Sequence, residues 1–204
     1  MKLYTSVGPN PRVVKMFLAE KGLDVDSVTV DLRAGENRQE PYLKLNPAGQ
    51  TPALELDDGS YLSEITAICE YLEERHPSPP LIGTTPEERA ATRMWTRRVD
   101  IKICDPLANG FRYGEGLQMF QGRMRCLPEA SAGLKAVAHD GEEWLEGQLN
   151  GPWIAGERFT LADILLFAFI DFGGVVGQPL DAGLSKVNAW FARVKDRPSA
   201  AASA

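Results

Sequence analysis

The sequence predicts two folded parts, an α/β domain followed by an all-α helical bundle. Three observations carry that expectation. Short strand-like segments alternate with helix patterns up to residue 77, the proline-dense stretch His76-Pro77-Ser78-Pro79-Pro80 interrupts the chain, and only long helical patterns follow Pro86. The expected organisation is a first domain over residues 1–77, a linker over 78–86, and a helical domain over 87–204.

Composition bounds the function. With 204 residues, 44% hydrophobic and 25% charged, the chain can bury real cores. A formal net charge of -6 argues against nucleic acid and anionic membrane as partners, which need clustered positive charge. Cys69, Cys104 and Cys126 are odd in number and widely spaced, which suggests neither a disulfide framework nor a metal site. No apolar leader and no membrane-length run is seen, so a cytoplasmic protein is expected.

In chain order, Met1 to Thr5 reads as a strand and Ser6 to Pro9 as a loop. Asn10-Pro11 then opens a helix, with asparagine as N-cap, proline at the first helical position and Gly22 as the stop. Val14, Phe17 and Leu18 form its buried stripe. Val25, Val28 and Val30 mark a second strand, parallel to the first through a right-handed crossover. Asn37 to Pro47 is polar and proline-bounded, and reads as irregular structure or a short helix. Pro52 to Leu56 and Tyr61-Leu62 pair as a hairpin about Asp57-Asp58-Gly59. Ser63 is expected to cap a helix with Ile65, Ile68, Cys69 and Leu72 on one face. The order β-α-β, irregular, β-β-α matches a thioredoxin-like domain without its C-x-x-C.

The stretch Gly49 to Tyr71 reads as a small-ligand platform. Pro52 at a strand start places Thr51 on a sheet edge, and a cis bond there would turn the Thr51 backbone N–H and C=O away from the ladder. Glu64 and Thr66 fall in the first turn of the next helix, where free N–H groups and the dipole hold an anion. A carboxylate beside an anion site is what an amino-acid head group requires. Q-T-P-A-L followed by S-E-x-x-A-I-x-x-Y-L resembles the glutathione-binding segment of cytosolic glutathione S-transferases, with bacterial beta-, nu- and theta-like classes nearest in pattern. The resemblance implies that Thr51 and Pro52 meet the cysteinyl unit and that Glu64 meets the γ-glutamyl head. Where the family has Ser or Thr after the acidic residue, this chain has Ile65 and then Thr66. The backbone of Ile65 and the side chain of Thr66 would then serve the head group.

In the second domain, Thr84 or Thr85 caps a helix from Pro86 with Ala91, Met94, Trp95, Val99 and Ile103 along one face. Asp105-Pro106 should kink or break it. Gly110, Gly114, Gly116 and Gly122 leave the next region either a loop or a helix boundary. Glu129 to Leu149 resumes a helix with Leu134, Val137, Ala138 and Leu145 inward. Thr160 with Asp163 forms a capping box, and Phe159 with Ile164 a hydrophobic staple, at the start of a nearly all-apolar central helix. Val187 to Val194 is the last helix, and Ser199 to Ala204 is expected to fray. The T-x-x-D element again resembles the C-terminal domain of that family, so the likeness spans nearly the whole chain.

A transferase of this kind stabilises the thiolate of bound glutathione, and a thiol is activated by donors, positive charge or a helix N-terminus. The resemblance places Asn10 at the thiol, as in classes with a P-N motif. A capping role accounts for Asn10 equally well, and the two are compatible. Ser6 and Tyr4 are further hydroxyl candidates. Gln50, Arg38 and Arg33 are implied at the glycyl carboxylate, Asp100 at glutathione across a homodimer, and Asn109, Phe111 and Tyr113 in the electrophile pocket. Glutathione as co-substrate, a small electrophile or peroxide as acceptor and no metal are therefore expected. The alternative is a non-catalytic glutathione or apolar-ligand binder of the same fold. A Ser-His-Asp hydrolase fails on supply, since His76 and His139 are the only histidines and no G-x-S-x-G occurs.

Overall fold

Four short strands, β1 (Lys2–Thr5), β2 (Asp26–Thr29), β3 (Ala53–Glu55) and β4 (Tyr61–Ser63), form one sheet in the order β2-β1-β3-β4 in a computed structural model that describes every residue from Met1 to Ala204. β1 pairs parallel with β2 and antiparallel with β3, and β3 pairs antiparallel with β4. The crossover between β1 and β2 is α1 (Pro9–Lys21), and the segment before β3 carries a 3₁₀ turn at Glu36–Arg38 and α2 (Glu40–Leu45). α3 (Ile65–Arg75) follows β4 and ends where His76-Pro77 removes the next donor. Leu3 and Leu54 of the sheet are buried with Val13, Val14 and Phe17 of α1 and Ile68, Cys69 and Leu72 of α3. These elements give the thioredoxin-like order expected from the sequence.

The chain divides into two units, Met1–Leu81 together with Pro198–Ala204, and Ile82–Arg197. The first takes in the C-terminal residues, which corrects the expectation of a frayed tail. α10 (Pro198–Ala202) packs on α1, burying Ser199, Ala200 and Ser203. Ser199 Oγ hydrogen-bonds the Glu20 carboxylate, and an Arg12 guanidinium N–H donates to the Ala200 carbonyl at 3.3 Å. Small side chains make this close approach possible, a contact that lies 188 residues away in sequence and leaves no local signature.

The second unit is helical: α4 (Pro86–Val99), α5 (Asp105–Tyr113), α6 (Leu117–Phe120), α7 (Ser131–Gln148), α8 (Leu161–Val175) and α9 (Ser185–Lys195). Thr85 caps α4, its hydroxyl accepting from Glu88 N–H at 3.2 Å. The chain does not break at Asp105-Pro106. It passes from α4 to α5 through a π-helical turn at Asp100–Cys104, so the wider turn accommodates a proline that a regular helix would not. The glycine-rich region is likewise helical as far as Tyr113, with Gly110 buried inside α5. Val137 is half exposed rather than inward, whereas Ala138 and Leu145 are buried as expected.

α8 is the centre of this unit, buried continuously from Leu161 to Ile170. Its capping box forms as the sequence predicts, and Asp163 does more than cap. One carboxylate oxygen accepts from Ile154 N–H at 2.9 Å and Trp190 Nε1–H at 2.8 Å, and the other accepts from Thr160 N–H at 2.8 Å and its hydroxyl at 3.1 Å. Asp163 therefore joins α8, α9 and the preceding loop. Asp163→Ala strands four donors and should lower unfolding stability by about 3 kcal/mol or more, whereas Asp163→Asn keeps one acceptor and should lose about half as much, read by urea denaturation.

Burial outweighs the hydrogen bonds of Asp163 and raises its pKa to about 6, and burial raises that of Glu142 on α7 to about 7. A raised carboxyl pKa means that the folded chain holds a proton which the unfolded chain has already released. The stability it confers is full below the unfolded value and is lost as pH rises to the folded one. The melting temperature should therefore fall between pH 5 and pH 7, and Glu142→Gln should flatten that fall, as measured by circular dichroism.

Candidate functional site

Seven residues of the first unit line one open pocket: Asn10, Asn46, Gln50, Thr51, Pro52, Glu64 and Ile65. They come from three places, the N-terminus of α1, the chain just ahead of β3, and the β4–α3 junction. Six of the residues singled out in the sequence are thus brought together. Asn46 was missed, although its Asn-Pro dipeptide marks a turn.

The α1 terminus differs in detail from the expectation. The helix starts one residue earlier, at Pro9, and its N-cap is Gly8 at φ 112°, a conformation that glycine adopts without strain. Asn10 is therefore not the cap. It sits in the first turn, half exposed, and its side-chain amide has no partner in the chain. Pro9 and Pro11 have no N–H, and Arg12 N–H already donates to Gly8 carbonyl at 3.3 Å. Among the first-turn donors, this leaves only the Asn10 backbone N–H unused, beside its side-chain amide.

The α3 terminus is richer. Ser63 ends β4 rather than capping the helix, and Glu64 is the N-cap residue. Ile68 N–H donates to Glu64 carbonyl at 3.0 Å, which leaves the N–H groups of Ile65, Thr66 and Ala67 as first-turn donors at the positive end of the dipole. Glu64 has φ 69°, the one non-glycine residue of the chain in the left-handed half of backbone space. It lies between β4 and α3 and lines the pocket.

Ahead of β3, the Thr51-Pro52 bond is cis, as the sequence suggested. β3 pairing begins at Ala53, so Thr51 stands outside the ladder. The backbone leading to it is held from behind: Asn37 Nδ2 donates to Gly49 carbonyl at 2.6 Å, and both Tyr42 hydroxyl and Asn46 Nδ2 donate to Gln50 carbonyl, at 2.7 and 2.8 Å. Gly49, at φ 61°, packs so tightly that a Cβ there would lie 2.9 Å from Asn37 carbonyl and 3.0 Å from an Arg38 guanidinium nitrogen.

The remaining candidates lie outside the lining. Ser6 is buried and donates to Val30 carbonyl at 2.7 Å, so its hydroxyl belongs to the sheet. Tyr4 donates to Glu55 at 2.9 Å, and burial with this carboxylate raises its pKa to about 12. Thr66 is exposed on the first turn of α3, and Arg38 is exposed with its guanidinium beside Gly49, while Arg33 is exposed in a turn built on Asp31. Asp100, Asn109, Phe111 and Tyr113 belong to the second unit. There Asp100 pairs with Arg97 at 3.1 Å, and Asn109 hydrogen-bonds Asp105 at 3.0 Å and Arg112 at 2.9 Å. Phe111 packs edge-on against Phe172 and Phe120, and Tyr113 is half exposed.

Comparison with known proteins places the chain beside a set of relatives. The family model described as glutathione S-transferase, N-terminal domain, matches residues 7–75, and that described as glutathione S-transferase, C-terminal domain, matches residues 117–198. The maleylacetoacetate isomerase of Pseudomonas aeruginosa is 48% identical over 191 residues, covering 89% of this chain and 85% of that protein. The crystal structure of Gtt2 from Saccharomyces cerevisiae superposes with a TM-score of 0.92 at 30% identity over the whole of both chains. A glutathione transferase homolog from sulfitobacter, solved with bound glutathione, has a TM-score of 0.81 at 26% identity over 98% of this chain and 95% of that one.

The strain at Glu64 is separable from its charge. Glu64→Gly removes both, while Glu64→Ala removes only the charge, so the glycine variant should unfold at a stability about 1 kcal/mol above the alanine variant, read by urea denaturation.

Proposed function

Because the chain belongs to the glutathione S-transferase family, we propose that this pocket binds glutathione and that its two helix termini divide the task between head group and thiol. The enzyme is a glutathione transferase; the residue roles below are the reading offered for it. The observation that carries them is the unequal donor supply of α1 and α3 around one pocket.

At α3, three backbone N–H groups and the dipole suit the α-carboxylate of the γ-glutamyl head, and the Glu64 carboxylate suits its ammonium. Ile65 serves through its backbone, so the departure from the family's hydroxyl residue leaves the anion site with its donors. The Thr51 backbone outside the ladder suits the cysteinyl unit, with Pro52 fixing its turn. Gln50, with Arg38 beside Gly49, suits the glycyl carboxylate.

At α1, the Asn10 amide and backbone N–H are offered to the sulfur. Donors stabilise the thiolate over the thiol and so lower the thiol's pKa, raising the fraction of nucleophile near neutral pH. The bound thiolate then attacks a small electrophile directly, adding to it or displacing its leaving group, or attacks a peroxide, breaking the O–O bond to give an alcohol and a glutathione sulfenic acid that a second glutathione converts to the disulfide and water. With asparagine at position 10 and Cys69 and Cys104 buried, no enzyme cysteine at this terminus offers a mixed-disulfide route. Asn109, Phe111 and Tyr113 are the proposed acceptor-side residues. Asp100 is proposed to meet glutathione in a homodimer.

The 48% likeness to a protein named maleylacetoacetate isomerase favours a second reading, in which the acceptor is isomerised and glutathione is returned. Thiol titration separates the two, because conjugation consumes glutathione stoichiometrically and isomerisation does not.

Calorimetric titration with reduced glutathione should give saturable binding, weakened by about tenfold or more in Glu64→Ala because a charge-assisted contact is lost. Asn10→Ala should leave the dissociation constant within about threefold but raise the pKa of the bound thiol by about one unit, measured from thiolate ultraviolet absorbance. An unchanged thiol pKa in Asn10→Ala would remove asparagine from the chemistry.

A further inference from the structure

The polar side chains behind the pocket converge on two consecutive peptide groups. Asn37 holds the Gly49 carbonyl, and Tyr42 and Asn46 together hold the Gln50 carbonyl. All three side chains are buried, at 3%, 5% and 3% exposure. Asn46 reaches the pocket wall, yet its amide is spent within the chain: Nδ2 donates to Gln50 carbonyl and Oδ1 accepts from Ala48 N–H at 3.1 Å.

The Gln50–Thr51 bond is trans, the cis bond being the next one. In a planar trans peptide the C=O and N–H point in opposite directions, so an orientation imposed on the Gln50 carbonyl is imposed equally on the Thr51 N–H. A carbonyl oxygen has two lone pairs, and here both have a donor. We infer that Tyr42 and Asn46 are positioning residues that act as a two-point clamp on the Gln50–Thr51 peptide plane, turning the Thr51 N–H away from themselves and presenting it to the backbone of the bound cysteinyl unit. This rests on the glutathione reading of the pocket.

Two donors on one acceptor make the clamp redundant. Loss of either leaves the plane held by the other; loss of both frees it to rotate, and the ligand must then order it on binding. Burial raises the Tyr42 pKa to about 12, so the phenol remains a donor at any working pH.

The test is a double-mutant cycle on the full chain with Tyr42→Phe, Asn46→Ser and their combination, titrated with reduced glutathione beside the parent and Glu64→Ala. Each single variant should raise the dissociation constant by about threefold, and the pair by about thirtyfold, more than the product of the singles. With an activated aryl halide as acceptor, KM for glutathione should rise in the pair while kcat at saturating glutathione holds, a split that general loss of folded protein would not produce. If the double variant does not fold, Asn46→Asp, which sets a carboxylate oxygen against the Gln50 carbonyl at nearly constant volume, should raise the dissociation constant by at least the threefold of Asn46→Ser. A paired or Asn46→Asp variant that is folded and binds like the parent, while Glu64→Ala binds weakly, overturns the clamp and leaves the glutathione site standing. A parent that does not bind glutathione overturns the reading and the clamp with it.

Discussion

The first unit depends on one buried ion pair. Lys21, in the last turn of α1, meets Glu73 of α3, and both side chains are fully buried. Lys21 Nζ also donates to the carbonyls of His76 at 2.8 Å and Pro79 at 2.6 Å, while Glu73 accepts from Leu81 N–H at 3.2 Å. Neither charge can be removed alone without leaving the other uncompensated in an apolar core, so the pair fixes the C-terminal ends of α1 and α3 to each other and to the chain that leaves α3. At the other ends of the same two helices, Asn10 and Glu64, 54 positions apart, line one pocket.

Convergence alone would give two similar anion sites. The sequence around each terminus makes them different. Prolines on both sides of Asn10 strip α1 of most of its free N–H groups, which leaves the backbone N–H and side-chain amide of Asn10 as its first-turn donors. α3 keeps its N–H groups and adds a glutamate at φ 69°, so the two termini offer the pocket different donors and charge. Between them lies backbone that takes no part in the sheet ladder and is held instead by Asn37, Tyr42 and Asn46.

The second unit solves a different problem. Its central helix is too apolar to be oriented by surface polarity, and Asp163 supplies direction by meeting α9 and the incoming loop with both oxygens. A single carboxylate in the core is tolerated because each of its oxygens has two donors.

Local features of this protein were legible in its sequence. The capping box at Thr160, the cap at Thr85, the stop at Gly22, the cis bond at Thr51-Pro52 and the end of α3 before Pro77 all depend on residues within about four positions of one another, and one chain displays such relations directly. Six of the seven pocket residues were read in the same way, from a contiguous strand–turn–helix pattern and a helix start. The tertiary structure decided the rest. Asn10 and Ser63 were expected as caps because their side chains suit that position, but α1 starts at Pro9 behind Gly8 and Ser63 is taken up by β4, so the caps fall on Gly8 and Glu64 and Asn10 lines the pocket. Ser6 turned from a candidate nucleophile partner into a sheet contact because Val30 lies across from it. The C-terminal residues order because α1 offers Arg12 and Glu20 to them, and Tyr42 and Asn46 meet the Gln50 carbonyl because α2 folds back over it. Propensity and capping act through the neighbouring turn, whereas which donor reaches which acceptor across the fold is set only when the elements pack.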